Sequence, residues 1–206
     1  MIKKILYPKT QRLPARTKEY AVITEKLDGS NLCIFKLNDE LYIAQRNNII
    51  NVGKEFDDIS YSGLKDWLTN YKDFLLENLH NNSVICGEWL GMGKIKYTVD
   101  KFDKRFYMFA KANINEDYEL YNMIYEEEYF KYPFVNEVIP YFIGIRPEVT
   151  KTVVIPDKEF LDKLYDKYTR QEKRKVEGFI IIIRNTIQKY VRMKNGKITE
   201  HFDYGE

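Results

Sequence analysis

Two stretches of the chain fold back on themselves around short turns, and they restrict the architecture more than any other feature. Residues 32–37 and 41–46, LCIFKL and LYIAQR, read as strands on either side of a turn signal at Asn38 to Glu40. Residues 178–184 and 187–193 repeat the arrangement around Asn185–Thr186. Further strand-like segments cover 21–24, 83–90, 106–112 and 138–143. Leu64, Trp67, Leu68, Tyr71, Leu75 and Leu79 share one face of a helix. Phe160, Leu161, Leu164, Tyr165 and Tyr168 repeat that spacing after Pro156 and an Asp157 cap. Residues 116–131 read as a third helix, and residues 1–19, with Pro8 and Pro14, as an irregular arm over the core. Strands joined by hairpins, without regular βαβ alternation, predict an α+β fold of mainly antiparallel sheets with flanking helices. No repeat, low-complexity tract or linker divides the sequence, so residues 1–206 are expected to form a single domain.

The turns also set which side chains meet. A loop at Asn38–Asp39 places Asn31 opposite Arg46, and cross-strand partners share a face of a sheet. A loop at Asn185–Thr186 places Glu177 opposite Lys194, with Arg192 and Phe179 on the same face. Taken singly, such pairs are ordinary surface salt bridges of little energetic worth.

Composition narrows the chemistry. Lys+Arg 33 against Asp+Glu 31 leaves a net charge of only +2, so a nucleic-acid partner must be met by local basic patches. Two cysteines, both in apolar runs, give no disulfide framework and fit a reducing compartment. Two histidines leave little material for a zinc site of the usual kind. No run approaches a membrane span and the first residues lack a signal-peptide core, so a cytoplasmic protein without membrane contact is expected. Tyr 17 and Phe 12 serve either a rich core or base stacking, and composition does not choose between them.

Ahead of the first hairpin stands TEKLDGSN, residues 24–31. Lys26 leaves an apolar strand just before a turn that Gly29 allows to be tight. A lysine amine becomes a nucleophile when neighbouring cations and a desolvated pocket free it of its proton, and a bound phosphorus centre would then yield a lysyl phosphoramidate. Glu88 is a lone carboxylate within VICGEWL, where burial demands a partner such as a hydroxyl, a lysine or a metal. Basic clusters at Lys94/Lys96, Lys101/Lys104/Arg105 and Arg170 to Lys175 are candidate phosphate contacts, although the last also suits a solvated helix end.

Taken in order, EKLDGSN, AQRNN, CGEWLGMGKIKY, RFYMFAK, VEGFIIII and YVRMK, with the opening YPKTQRLP, resemble the motifs of covalent nucleotidyltransferases. The resemblance is to ATP-dependent RNA ligases of the double-strand, nick-sealing type and runs from about residue 7 to 195. It implies a nucleotidyltransferase (adenylation) domain. Lys26 would be the nucleophile, Glu25 would sit at the adenine edge, and Asn31 and Arg46 would hold ribose or phosphate oxygens. Glu88 would meet a ribose hydroxyl, lysine or metal, and Phe109, with Phe106 as the fallback, would stack on the purine. Glu177 would serve a metal site, and Lys194, with Arg192, would neutralise phosphate. ATP and Mg²⁺ (or Mn²⁺) are the implied cofactors, and RNA in a nicked duplex with an RNA 3′-hydroxyl is the implied partner of a monomeric enzyme. Two positions depart from the pattern: Arg192 stands where the family usually has lysine, and Ala110 follows Phe109 where an aspartate is usual. Few residues follow Lys194, so no appended domain is expected, whereas DNA ligases and capping guanylyltransferases normally carry an extra oligonucleotide-binding barrel; a DNA ligase stays an alternative reading. A non-catalytic nucleic-acid-binding module of ligase descent is the alternative of a different class.

Overall fold

The computed structural model describes residues 1–6, 21–97, 105–124, 148–152, 157–183, 186–194 and 197–198. Every ladder among them is antiparallel. The first sheet is built from β1 (Ile2–Lys3), β3 (Ser30–Leu37), β4 (Glu40–Gln45), β5 (Asn48–Asn51), β6 (Ser83–Trp89), β7 (Phe106–Ile114) and β8 (Leu120–Ile124). Their order across the sheet is β1-β5-β4-β3-β6-β7-β8. The second sheet joins β2 (Ala21–Lys26), β9 (Glu148–Thr152), β10 (Gly178–Ile183) and β11 (Thr186–Val191) in the order β11-β10-β2-β9. A two-stranded ladder, β12 (Met193–Lys194) with β13 (Lys197–Ile198), follows. The helices are α1 (Leu64–Asn78) and α2 (Lys158–Glu172).

Period-two alternation turns these strands into four layers. On β3, Leu32 and Ile34 face α1 and pack with Leu64, Leu68, Leu75, Trp89 and Met108. Cys33 and Phe35 face the other way, meeting Cys86, Ala110 and, from the second sheet, Ile187, Ile180 and Ile182. The far face of the second sheet carries Ile23, Phe179, Ile181 and Tyr190 onto Leu161 and Tyr165 of α2. The Asp157 side chain caps α2 as expected, accepting from the Phe160 N–H at 2.8 Å.

The first hairpin has the expected register, Leu37 opposite Glu40 through Leu32 opposite Gln45. Asn38 and Asp39 hold φ of 51° and 60°, the left-handed pair that a tight hairpin turn requires. The second hairpin differs from expectation. Pairing begins at Ile183 opposite Thr186, so β-branched Thr186 is a strand residue and β11 slides against β10. Arg192, not Lys194, lies opposite Glu177, its N–H donating to the Glu177 carbonyl at 2.9 Å. Phe179 is opposite Tyr190 and the two rings stack.

The helix expected over 116–131 is also corrected for its described part. The Glu119 N–H donates to the Asn115 side chain at 2.8 Å, closing a turn, and β8 follows. Residues 125–131, the strand expected at 138–143 and most of the arm, residues 7–19, lie outside the described residues.

One irregularity sets up the site. Cys86 pairs with Ala110 but Gly87 pairs with Met108, which leaves Phe109 as the extra residue of a β-bulge. Phe106 and Met108 therefore face α1, whereas Ala110 and Ala112 face the second sheet. Gly87 permits this because a Cβ there would stand 2.6 Å from the Phe106 ring.

Close approach of backbones also governs Gly178, where a Cβ would stand 1.9 Å from the Tyr190 carbonyl oxygen. Gly178→Ala must push β11 away from β10. It is expected to cost about 2 kcal/mol, read as a fall of several degrees in the thermal midpoint; an unchanged melt would contradict the packing described.

Candidate active site

The last two residues of β2 send their side chains to opposite faces. Lys26 and its cross-strand partner Gly178 lie on the face toward the first sheet, and Glu25 and its partner Phe179 lie toward α2. The Glu177 carboxylate reaches Lys26 from the segment entering β10, Nζ to Oε2 at 2.6 Å. Across the gap, Asn31 and Glu88 are directly opposed on β3 and β6, on the face that carries Cys33 and Cys86. The Gly29 N–H donates to Glu88 Oε1 at 3.0 Å. Lys26, Glu177, Glu88 and Asn31 thus gather from both sheets at one end of the inter-sheet core.

Glu177 and Glu88 both feel the Lys26 charge, Asp28 opposes their ionisation, and Lys189 adds a second cation acting on Glu177. Burial pushes the Glu88 carboxyl up to about 7, against the pull of the Lys26 charge and with the help of Glu177. Glu177 is raised as well, first by burial, although Lys26 attracts its charged form through both charge and hydrogen bond.

Asp28 and Gly29 have an architectural task. Asp28 Oδ2 accepts from the N–H groups of Lys94 and Ile95 at 2.6 and 2.7 Å, and the Asp28 N–H donates to the Tyr97 hydroxyl at 2.6 Å. These bonds clasp the turn after Lys26 to the loop after β6. A Cβ on Gly93 would stand 2.0 Å from the Asp28 carbonyl oxygen, and one on Gly29 would stand 2.5 Å from that of Trp89. The glycines keep the two turns in contact.

The remaining expected residues divide. Phe109, re-aimed by the bulge, is half-buried beside Leu27, Tyr107 and Tyr97, whereas Phe106 is sealed under α1. Arg46 is exposed just beyond the β3–β4 ladder. Its N–H donates to the Tyr61 hydroxyl at 3.1 Å, and that hydroxyl donates to the Asn31 carbonyl at 3.0 Å. The Glu25 side chain, expected at the adenine edge, is 2% exposed and forms a two-point ion pair with Arg174, Nη1 to Oε1 at 2.6 Å. The Tyr168 hydroxyl donates to it as well, at 2.7 Å. Arg192 does not join the cluster. It packs over the Tyr165 ring and pairs with Asp162 of α2 at 3.2 Å, because its strand position continues the face of Tyr190. Lys194 lies in β12, and its side chain is outside the described residues.

Arg174, expected as a phosphate contact or a solvated cation, and Tyr168, expected only as a helix-face residue, both bond to Glu25 instead. Arg174 belongs to the RQEKRK run, which therefore contributes an ion pair beside the lysine strand as well as solvated cations. Lys94, Lys96 and Arg105 are exposed near the clasped loop, and Lys101 and Lys104 lie outside the described residues. Among the described residues no group of three or more His, Cys, Asp or Glu is placed to hold a metal ion, and no helix is long and apolar enough to cross a membrane. One or two carboxylates with phosphate oxygens and water suffice for Mg²⁺, and Glu177 with Glu88 fits that donor set. Cys33 and Cys86 are buried free thiols.

With this geometry in hand, the chain can be compared with known proteins. The sequence model of one family, RNA ligase, matches residues 19–195. No curated protein sequence matches the chain. Among solved structures, a variant of the Naegleria gruberi RNA ligase with ATP and Mn superposes with a TM-score of 0.57 at 15% identity, over 91% of this chain and 56% of that one. Another variant of that ligase, with AMP and Mn, gives 0.57 at 15% over 92% and 59%. An archaeal ATP-dependent RNA ligase gives 0.53 at 17% over 90% and 48%. The chain spans about half the length of these solved ligases, and at such identities the likeness establishes the fold.

The raised carboxyls make stability depend on pH in a stated direction. In the unfolded chain Glu88 loses its proton near 4.5, whereas in the fold it keeps it up to about 7. Between these values the folded state binds more protons, so stability falls as pH rises through that window. Glu88→Gln keeps the acceptor for Gly29 and removes the titration. Denaturant melts at pH 5 and pH 8 should show a smaller loss for Glu88→Gln than for the unsubstituted chain; equal losses would contradict the burial assigned to Glu88.

Proposed function

The chain belongs to the RNA ligase family, and from that premise we propose that it is an ATP-dependent RNA ligase in which Lys26 becomes covalently linked to AMP. The observation that carries this reading is the Lys26 amine held 2.6 Å from Glu177 at the seam of two sheets, with Glu88 and Asn31 across from it. An amine attacks phosphorus only after shedding its proton, and a carboxylate on the same nitrogen, made more basic by burial, is placed to take it. A bond then forms from Lys26 Nζ to the α-phosphorus of ATP, and the bond to the bridging oxygen breaks as pyrophosphate leaves. The amine's second proton leaves to water with the departing pyrophosphate, so the phosphoramidate nitrogen carries no positive charge; Glu177, once it has passed the first proton to water, no longer faces a cation at that nitrogen and would be available to a divalent cation. Mg²⁺ or Mn²⁺, when bound, neutralises phosphate oxygens and the departing pyrophosphate.

Other residues of the seam serve binding in this proposal. Asn31 and Arg46 hold ribose or phosphate oxygens, and the planar fork of arginine suits phosphate. Glu88, with a carboxyl that titrates near neutrality, accepts or donates to a ribose hydroxyl. Phe109 stacks on the purine and Lys194 meets the α-phosphate. Arg192 fixes the end of β11 to α2 through Asp162. AMP then passes to the 5′-phosphate of an RNA strand, and a 3′-hydroxyl displaces it, most readily in a nicked duplex where the two ends are already aligned. The position of Arg192 favours one rival, a binding module that has lost catalysis, and labelling decides between them.

Purified protein incubated with α-labelled ATP and Mg²⁺ or Mn²⁺ is expected to gain one acid-labile AMP. Lys26→Ala should abolish the label and Glu177→Ala should slow it by roughly a hundredfold or more, both read below the thermal midpoints, which each substitution lowers by leaving its partner charge uncompensated. Absence of any adduct with either metal would leave the binding-module reading in place.

A further inference from the structure

We propose that the Tyr61 hydroxyl is a positioning group for Arg46, setting the direction from which that arginine enters the nucleotide site. The inference rests on the nucleotide-transfer reading above. Its starting point is a backbone outlier: Arg46 holds φ of 41°, in the left-handed region that arginine rarely occupies. The β4–β5 hairpin requires it: Gln45 pairs with Asn48, so Arg46 is the first residue of a two-residue turn.

A buried side chain ties this turn to β3. The β3–β4 ladder ends at Leu32 opposite Gln45, so Asn31 and Arg46 are the first residues beyond it. The Tyr61 hydroxyl takes the place of the next ladder contact by accepting from the Arg46 N–H and donating to the Asn31 carbonyl, at 3.1 and 3.0 Å. One hydroxyl thereby joins the two residues expected to hold the nucleotide.

Tyr61 itself has little freedom. Its ring is buried in the cluster under α1, and both neighbours in the chain are bolted to the sheet. Ser60 donates to Gln45 Oε1 from its N–H and its hydroxyl at 3.1 and 3.0 Å, and the Ser62 carbonyl accepts from the Trp89 indole at 3.1 Å. Burial raises the phenol above its ordinary range, so the hydroxyl keeps the proton it donates. A rigid aromatic lever thus runs from the core to the backbone of an exposed arginine, and its tip is the only part that Tyr61→Phe removes.

The test is a double-mutant cycle in self-adenylylation with ATP and Mg²⁺. Tyr61→Phe is expected to raise the half-saturating ATP concentration about fivefold, the scale of one lost hydrogen bond, while the limiting rate stays within about twofold, as for a lost binding contact. Arg46→Ala should raise that concentration at least as much. In the Arg46→Ala background the effect of Tyr61→Phe should shrink to less than half, because the guanidinium it positions is gone while the contact to the Asn31 carbonyl remains. A purely structural tyrosine would lower the melting temperature and the limiting rate together, with no such split. Unchanged ATP dependence in Tyr61→Phe, or an undiminished effect in the Arg46→Ala background, would overturn the positioning role while labelling of the unsubstituted chain upholds the ligase reading. Absence of labelling in the unsubstituted chain would overturn both.

Discussion

The contact between Lys26 and Glu177 organises this molecule at the place where its two sheets meet. Side chains of the two residues are 24% and 16% exposed, so each charge is largely withdrawn from water and depends on the other. Removing one member of such a pair leaves the second uncompensated, which is far costlier than losing a surface salt bridge. The rest of the local structure holds this pair in place. Glu25, next to Lys26 in the chain, is locked to Arg174, and Arg174 lies three residues before Glu177. The connector from α2 to β10 therefore grips the end of β2 from both of its faces.

The opposing sheet is tied to the same point through the turn that follows Lys26. Asp28 receives the amides of Lys94 and Ile95, Gly29 donates to Glu88, and Gly93 lies against the Asp28 backbone without room for a side chain. A short motif of the form Lys-x-Asp-Gly thus has two parts with different physical tasks. Lysine is presented to the cleft, while aspartate and glycine fasten the cleft's two walls. The carboxylate across the gap, Glu88, is held by this same fastening, and its elevated titration follows from the burial that results.

Local signals made much of this legible in the sequence. The first hairpin follows from Asn38 and Asp39, both of which tolerate the left-handed conformation they adopt. The faces of α1 and α2 follow from apolar spacing, and the α2 start from Asp157. The second hairpin did not read correctly, since Thr186 fits both a turn and a strand and the pairing with Ile183 decides. Long-range contacts explain the other differences. Arg174 meets Glu25 from 149 residues away, and no local pattern encodes that meeting. Phe109 turns toward Leu27 and Tyr97 because of a bulge that depends on how Gly87 and Phe106 pack. Arg192 turns toward α2 because Asp162 waits there. Pairing rules within a strand locate a residue on a face, but a partner on another layer determines which contact it makes.

The α+β fold and membership of the RNA ligase family are established, and the geometry narrows the proposed chemistry to a single nitrogen atom. The most direct test of that claim is the location of the adduct itself. Protein incubated with ATP and Mg²⁺ would be digested near neutral pH and its peptides mapped by mass spectrometry, with ³¹P NMR of the intact adduct alongside. The account predicts AMP on the peptide containing Lys26 and a phosphoramidate resonance. AMP on any other residue, or a phosphate ester in place of a phosphoramidate, would contradict it.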